Sequence, residues 1–264
     1  MTLKNYLVKY KSYEAISYTN GQIQKFSDEI VVEGALQINI NGVPYTVVMR
    51  TPGNDFDLIR GLLYAEDIYK KKEKPEFKII EEKPNGFSVI NVIIPQNELG
   101  KGYLNKRTLL SVSSCGICGK QDLDAISIKG EKIYSKKNLN NIDLETKFDL
   151  LKKNQQLFKK TGGSHAAGIF STNNETIAIA EDIGRHNAVD KVIGNYLNEN
   201  SDKQPQFLIV SGRVSYEIVS KAFIAKIPII AAVSACSSIA IDYAKEFGIT
   251  LIGFSRNKKH TIYA

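Results

Sequence analysis

Over its last hundred residues the chain alternates short apolar runs with helical apolar spacing. Residues 166–171 and 176–180 read as a hairpin over Asn173-Asn174, and Val189, Val192, Ile193, Tyr196 and Leu197 then fall on one helix face. Residues 206–210 read as a buried strand followed by a helix over 215–225. Residues 228–233 read as a strand followed by a helix over 237–247, and 249–254 as the last strand. Short apolar strands separated by helices predict a mainly parallel sheet with both faces covered.

The earlier residues carry a different pattern. Residues 1–25 are polar and tyrosine-rich with weak periodicity, which predicts a frayed or edge segment. Residues 29–40 read as one strand, Asn41-Gly42 as its turn and 44–49 as the return, because Asn-Gly between β-rich runs favours a tight hairpin. Asn54 is placed to cap a helix whose apolar face is Phe56, Ile59, Leu62 and Leu63. Residues 77–80 and 87–94 predict a second hairpin, turning at Pro84-Asn85-Gly86. Residues 126–133 read as a hairpin around Gly130. Asp143 then caps a helix carrying Leu144, Phe148, Leu151, Leu157 and Phe158, which ends in a basic pair and two glycines at 159–163. The pattern divides the chain into a small α+β scaffold (1–105), a connector (106–141) and an α/β domain (142–264).

Composition narrows the class. A chain of 264 residues, 43% hydrophobic and 24% charged, can bury a substantial core. Three cysteines argue against a disulfide framework and for a reducing compartment. The first residues lack an apolar signal region, and no run of about 18 apolar residues would cross a membrane. The net charge of +7 suits an anionic ligand or an acidic partner. No basic stripe interleaved with aromatics points to nucleic acid.

Two cysteines, Cys115 and Cys118, stand three positions apart, each followed by a glycine. A thiolate is a nucleophile, and a neighbouring thiol can lower its pKa or attack what it carries. The glycines and the absence of helical spacing around the pair predict an exposed loop. Cys-x-x-Cys is also half of a zinc site, and two incidental thiols are a third reading. The residues alone leave all three open.

In open parallel sheets ligands bind beyond the carboxyl ends of the strands. The predicted strands are followed by Glu181-Asp182-Ile183-Gly184-Arg185-His186-Asn187, by Ser211-Gly212-Arg213, by Ser234-Ala235-Cys236-Ser237-Ser238, and by Ser255-Arg256-Asn257-Lys258-Lys259. All four clusters are expected on one rim, three of them opening a helix. Arg185, Arg213 and Arg256 there fit a phosphate-bearing ligand, since a guanidinium gives planar bidentate contacts to phosphate. Asp182 can pair with Arg185 or orient a base; helix capping by Asp182, Ser215 and Ser237 is the plainer alternative. His165, in Thr161-Gly162-Gly163-Ser164-His165, is a further candidate ligand contact or a turn histidine. His186, at a helix start, is expected neutral and hydrogen-bonded. His260 is expected solvated in a basic tail.

Several of these strings together resemble one family. Cys115-Gly-Ile-Cys118-Gly119, Thr161 to His165, the eleven residues from Glu181 to Lys191, Ser211-Gly-Arg213 with Glu217 and Lys221, and Gly253-Phe-Ser-Arg256 closely resemble the FdhD family, from about Val31 to the C-terminus. The resemblance implies a cytoplasmic sulfur carrier, a sulfurtransferase working through a cysteine persulfide. A cysteine desulfurase would hand it sulfur for the molybdenum cofactor, in its bis-guanine-dinucleotide form, before insertion into the catalytic subunit of formate dehydrogenase. It maps the persulfide onto Cys115, with Cys118 assisting, and cofactor binding onto Phe254, Ser255, Arg256, Asn257, Lys258 and Lys259. It also implies a cytidine deaminase-like three-layer fold for the larger domain.

Zinc deaminases need His-x-Glu and Pro-Cys-x-x-Cys. Here Ala167 stands where the glutamate would be, and Ser114 precedes Cys115, so deamination is disfavoured. Cys236 is expected to be an inert buried thiol. The rival functions are a cofactor-binding chaperone without sulfur transfer and a metal-dependent hydrolase. Whether two copies pair as a homodimer is left open.

Overall fold

The computed structural model describes residues 8–104, 130–134, 143–173, 175–199, 202–256 and 258–264. Cys115, Cys118, Asn257 and the first half of the expected hairpin at 126–133 lie outside the described residues.

Two Asn-Gly pairs shape the start of the chain. Asn20 (φ 51°) and Gly21 (φ 81°) turn strand β1 (Tyr10–Thr19) into β2 (Gln22–Val31). Asn41 (φ 51°) and Gly42 (φ 83°) turn β3 (Gly34–Ile40) into β4 (Val43–Arg50). Positive φ at both central positions matches the twist of the flanking strands. The segment expected to be frayed or an edge therefore holds a full antiparallel hairpin. The expected single strand at 29–40 is two strands in different sheets, broken at Val32-Glu33. Periodicity missed β1 because neither face of its hairpin is buried: Tyr13, Ile16, Tyr18 and Ile23 are all exposed.

The second sheet has the order β4-β3-β6-β5, with β5 at Glu76–Glu82 and β6 at Ser88–Ile93. Helix α1 (Asp55–Ala65) covers one face. Leu58, Ile59, Leu62 and Leu63 pack on Leu36, Ile38, Ile40, Ile90 and Val92. Burying each such side chain contributes about 1.5–3 kcal/mol. Asn54 does not cap α1 through its side chain; its backbone is left-handed at φ 56°.

The third sheet has the order β12-β11-β10-β9-β7-β8. Its strands are β7 (His165–Ser171), β8 (Thr176–Asp182), β9 (Pro205–Val210), β10 (Ile229–Ala232), β11 (Thr250–Arg256) and β12 (Lys259–Ile262). β9, β10 and β11 are parallel, and β8 runs with them because both β8 and β9 pair antiparallel to β7. β12 returns antiparallel to β11, so the expected basic tail is an edge strand in which His260 is exposed.

Helices α4 (Arg185–Asn198), α5 (Tyr216–Ile224) and α6 (Ser238–Phe247) cover one face, burying Val189, Val192, Val219, Phe223 and Ala244 against Ile169, Leu208, Ile230 and Leu251. Helix α2 (Leu144–Asn154) covers the other, with Leu144 and Leu151 on Phe170, Phe207 and Ile229. The result is three layers. Asp143 caps α2 as expected, accepting from Thr146 N at 3.0 Å. The expected long helix is broken at Gln155, and α3 (Gln156–Thr161) ends at Gly162 with φ 64°.

α1 and α4 join the two larger sheets by crossing at glycines. A Cβ on Gly61 would lie 2.0 Å from Asp190 O, and one on Gly194 would lie 1.8 Å from Asp57 O. Only glycine permits that approach.

Candidate functional site

The strand directions bring the carboxyl ends of β8, β9, β10 and β11 to one edge, together with the amino ends of β7 and β12. His165, Arg185, His186, Arg213, Phe254, Ser255, Arg256, Lys258 and Lys259 therefore share one rim.

The rim has two parts. At one end, β11 carries a register shift between Gly253 and Arg256. Phe254 sits there at φ 49°, in the left-handed region, and its ring is exposed. A bulky residue in that region costs of order 1–3 kcal/mol and persists only where its surroundings enforce it. Arg256, Lys258 and Lys259 are exposed beside it, whereas Ser255 is buried and its Oγ has no partner among the described residues.

At the other end, three elements converge. His165 opens β7, Arg185 opens α4, and Gly212-Arg213 follows β9. A Cβ on Gly212 would lie 3.2 Å from His165 Nδ1 and 3.4 Å from Arg185 Cβ, so the loop passes directly over both. His165 is half-buried. Burial first, then the charges of Arg185, Arg213 and His186, hold its pKa below the usual 6.5; Asp182 opposes them. Arg185 Nε is buried and has no acceptor among the described residues. Arg213 is exposed.

Two expected contacts are committed elsewhere. Asp182 is fully buried and paired not with Arg185 but with Lys191, at 2.7 Å. It also accepts from Thr51 N, Gly184 N and Asn187 Nδ2. His186 is buried with Nε2 2.9 Å from Glu217 Oε2 and 3.0 Å from Ser215 Oγ, so Ser215 faces the histidine rather than capping α5. One helical turn on, Asp190 pairs with Lys221. Ser237 caps α6 as expected, accepting from Ala240 N. Glu181 receives the N–H groups of Leu157 and Phe158 and the Ser164 hydroxyl.

Sequence reasoning missed Thr51. Its N–H binds Asp182, its Oγ1 accepts from Ile183 N, and its carbonyl accepts from Lys191 Nζ at 2.9 Å. Met49 O accepts from Asn187. The only sequence signal was the Thr51-Pro52-Gly53 break after a strand. The segment after β4 thus fixes the turn that presents Arg185.

Cys236 lies behind the rim beside Gly253, and burial raises its thiol pKa to about 11. Among the described residues no group of three His, Cys, Asp or Glu side chains is arranged to hold a metal ion. No described helix is long and apolar enough to cross a membrane.

Known proteins resemble the chain over nearly its whole length. The chain is 36% identical over 262 residues to the sulfur carrier protein FdhD of Streptomyces avermitilis, covering 95% of this chain and 92% of that one. It is 40% identical over 254 residues to the sulfur carrier protein FdhD of Nocardia farcinica, covering 92% and 88%. Its fold matches the crystal structure of a candidate formate dehydrogenase accessory protein from Desulfotalea psychrophila, with a TM-score of 0.74, 22% identity and 97% of each chain covered. The profile of the FdhD/NarQ family matches residues 31–264. The chain belongs to the FdhD/NarQ family.

Proposed function

We propose that this chain is a cytoplasmic sulfur carrier. It takes sulfur from a cysteine desulfurase and delivers it to the molybdenum cofactor, in bis-guanine-dinucleotide form, on the way into formate dehydrogenase. Relatives that align over nine-tenths of the chain are named sulfur carrier proteins, which supports the sulfur chemistry. The observation that carries the cofactor half is the rim. Exposed Arg213 and Arg256, half-buried Arg185 and outward-facing Phe254 lie along one sheet edge.

In the first step the Cys115 thiolate attacks the terminal sulfur of the donor's persulfide. The donor's S–S bond breaks, its cysteine leaves as thiolate, and a persulfide forms on Cys115 with no net oxidation or reduction. Cys118 stands close enough in sequence to assist. In the second step the cofactor is the substrate. Guanidiniums on the rim bind its phosphates bidentately, and Phe254 offers a face for a purine base.

The test is maturation in cells. In a host lacking its own family member, the wild-type chain restores formate oxidation and the Cys115→Ala variant does not. Full restoration by Cys115→Ala would favour a cofactor chaperone that carries no sulfur.

A further inference from the structure

Asn-Gly occurs three times in the chain, at 20–21, 41–42 and 85–86. The pair is chemically fragile, because glycine leaves the peptide nitrogen after the asparagine unshielded. We propose that Asn20 is a site of spontaneous deamidation and isoaspartate formation, and that the fold protects Asn41 and Asn85. The site lies in the β1–β2 hairpin and does not depend on the sulfur chemistry above.

The reaction needs only water. The Gly21 nitrogen gives its proton to base and attacks Cγ of Asn20. A C–N bond forms, the amide nitrogen leaves as ammonia, and a succinimide ring results. Water then opens the ring at either carbonyl, giving isoaspartate or aspartate with no oxidation or reduction. Attack requires a side-chain amide free to turn toward the next nitrogen, and a turn free to leave its resting shape.

Asn20 and Asn41 make a matched pair. Both have φ 51°, with following glycines at φ 81° and 83°, and each closes an antiparallel hairpin. Their surroundings differ. Asn41 Nδ2 donates to Ile94 O at 2.8 Å, and its Oδ1 accepts from Ile94 N at 2.8 Å. Gly42 N, the nucleophile there, donates to Asn91 Oδ1 at 2.7 Å. That turn joins strands packed on α1, with Ile38 and Ile40 fully buried. Asn85 is held in another way. Its Oδ1 accepts from Phe87 N at 3.1 Å, Gly86 N donates to Lys83 O at 3.0 Å, and Gly86 O accepts from the Arg50 guanidinium at 2.6 Å.

Asn20 has no such restraint. Neither its amide nor the Gly21 N–H has a partner among the described residues. Both residues are exposed, and a Cβ on Gly21 would meet nothing within 4 Å. The adjoining cross-strand pair, Tyr18 and Ile23, is 73% and 72% exposed. A two-stranded ribbon without a packed face is marginal in water, so its tip opens readily.

The product alters the hairpin. Isoaspartate routes the chain through the side chain and adds a carbon to the backbone, which no longer fits a turn with positive φ at both central positions. With no face buried, little else fixes the register of the arms. At the base, Val32 N donates to Lys9 O at 2.8 Å and Lys160 Nζ to Tyr10 Oη at 2.7 Å, so the loosening stays near the tip.

The experiment ages the full chain at mildly alkaline pH, in buffer and in parallel in urea. Each Asn-Gly peptide is followed by mass spectrometry, with isoaspartyl methyltransferase marking the isoaspartate. In urea all three pairs are expected to react at comparable rates. In buffer Asn20 is expected to lead Asn41 and Asn85 by about tenfold or more, the scale of the two or three net hydrogen bonds that must open first at those sites. Asn20→Gly keeps a residue suited to positive φ and removes the amide. It should remove the early isoaspartate and leave the melting temperature unchanged. Hydrogen exchange of the isoaspartate form, separated by its added charge, should quicken in β1 and β2 near the turn and nowhere else. If Asn41 or Asn85 reacts as fast as Asn20 in buffer, or if Asn20 stays intact there while reacting in urea, the proposal fails. It fails equally if the lead of Asn20 persists in urea, because the fold would then not be its cause.

Discussion

The Asp182 carboxylate lies 2.7 Å from the Lys191 ammonium, with both side chains out of solvent and both bound to Thr51. The pair spans the end of β8 and the second turn of α4, and it encloses the turn that presents Arg185. Breaking it leaves a buried charge uncompensated. Asp182→Asn turns an amide toward N–H donors and strands the lysine, so it is expected to cost about 3–5 kcal/mol by chemical denaturation. Lys191→Met should cost less, because three N–H groups still serve the carboxylate. A loss below about 1 kcal/mol in Asp182→Asn would show that the pair does not hold the junction.

The α1–α4 crossing is expected to tolerate no side chain. A methyl on Gly61 would meet a backbone carbonyl, which cannot rotate away. Gly61→Ala should destabilise by about 1–3 kcal/mol, or about 2–4 °C in melting temperature for each kcal/mol. A melting temperature equal to wild type would mean that the helices separate freely.

Stability should depend on pH through His165. Its pKa is lowered on folding, so the unfolded chain binds the extra proton more readily. The contribution is therefore present above the unfolded value of 6.5 and is lost as pH falls through 6.5 toward the lower folded value. Between pH 7.5 and 5.5 the wild type should lose more stability than His165→Gln. Parallel curves for the two proteins would contradict the buried, cation-flanked position of the ring.

Cys236 should be the slow thiol. With a pKa of about 11, little of it is thiolate near neutrality. Iodoacetamide at pH 7.5 is expected to spare Cys236 until the protein is unfolded, and Cys236→Ser should load sulfur normally. Rapid native labelling at Cys236, or lost loading in that variant, would give this thiol a role.

Much of the larger domain was legible in the sequence. Apolar runs such as Phe207-Leu208-Ile209-Val210 have no polar alternation and are buried on both faces, and helical spacing separates them. Parallel strands then carried Arg185, Arg213 and Arg256 to one rim by topology alone. Features without a burial signature stayed hidden. The β1–β2 hairpin had its Asn20-Gly21 turn in plain sight, but its exposed arms carry no alternation. β12 is an edge strand whose Lys259 and His260 look like a solvated tail. The fate of Asp182 was illegible for another reason: its partner Thr51 is 131 positions away, and nothing local distinguishes a buried ion pair from a ligand contact.

The central claim is that sulfur rides on Cys115, and mass analysis tests it most directly. The purified chain, incubated with a cysteine desulfurase and cysteine, is digested without reductant and the peptide holding Cys115 is weighed. The account predicts a gain of one sulfur atom on that peptide, removed by dithiothreitol and absent from Cys115→Ala. Equal sulfur loading in Cys115→Ala, or none in the wild type, would contradict it.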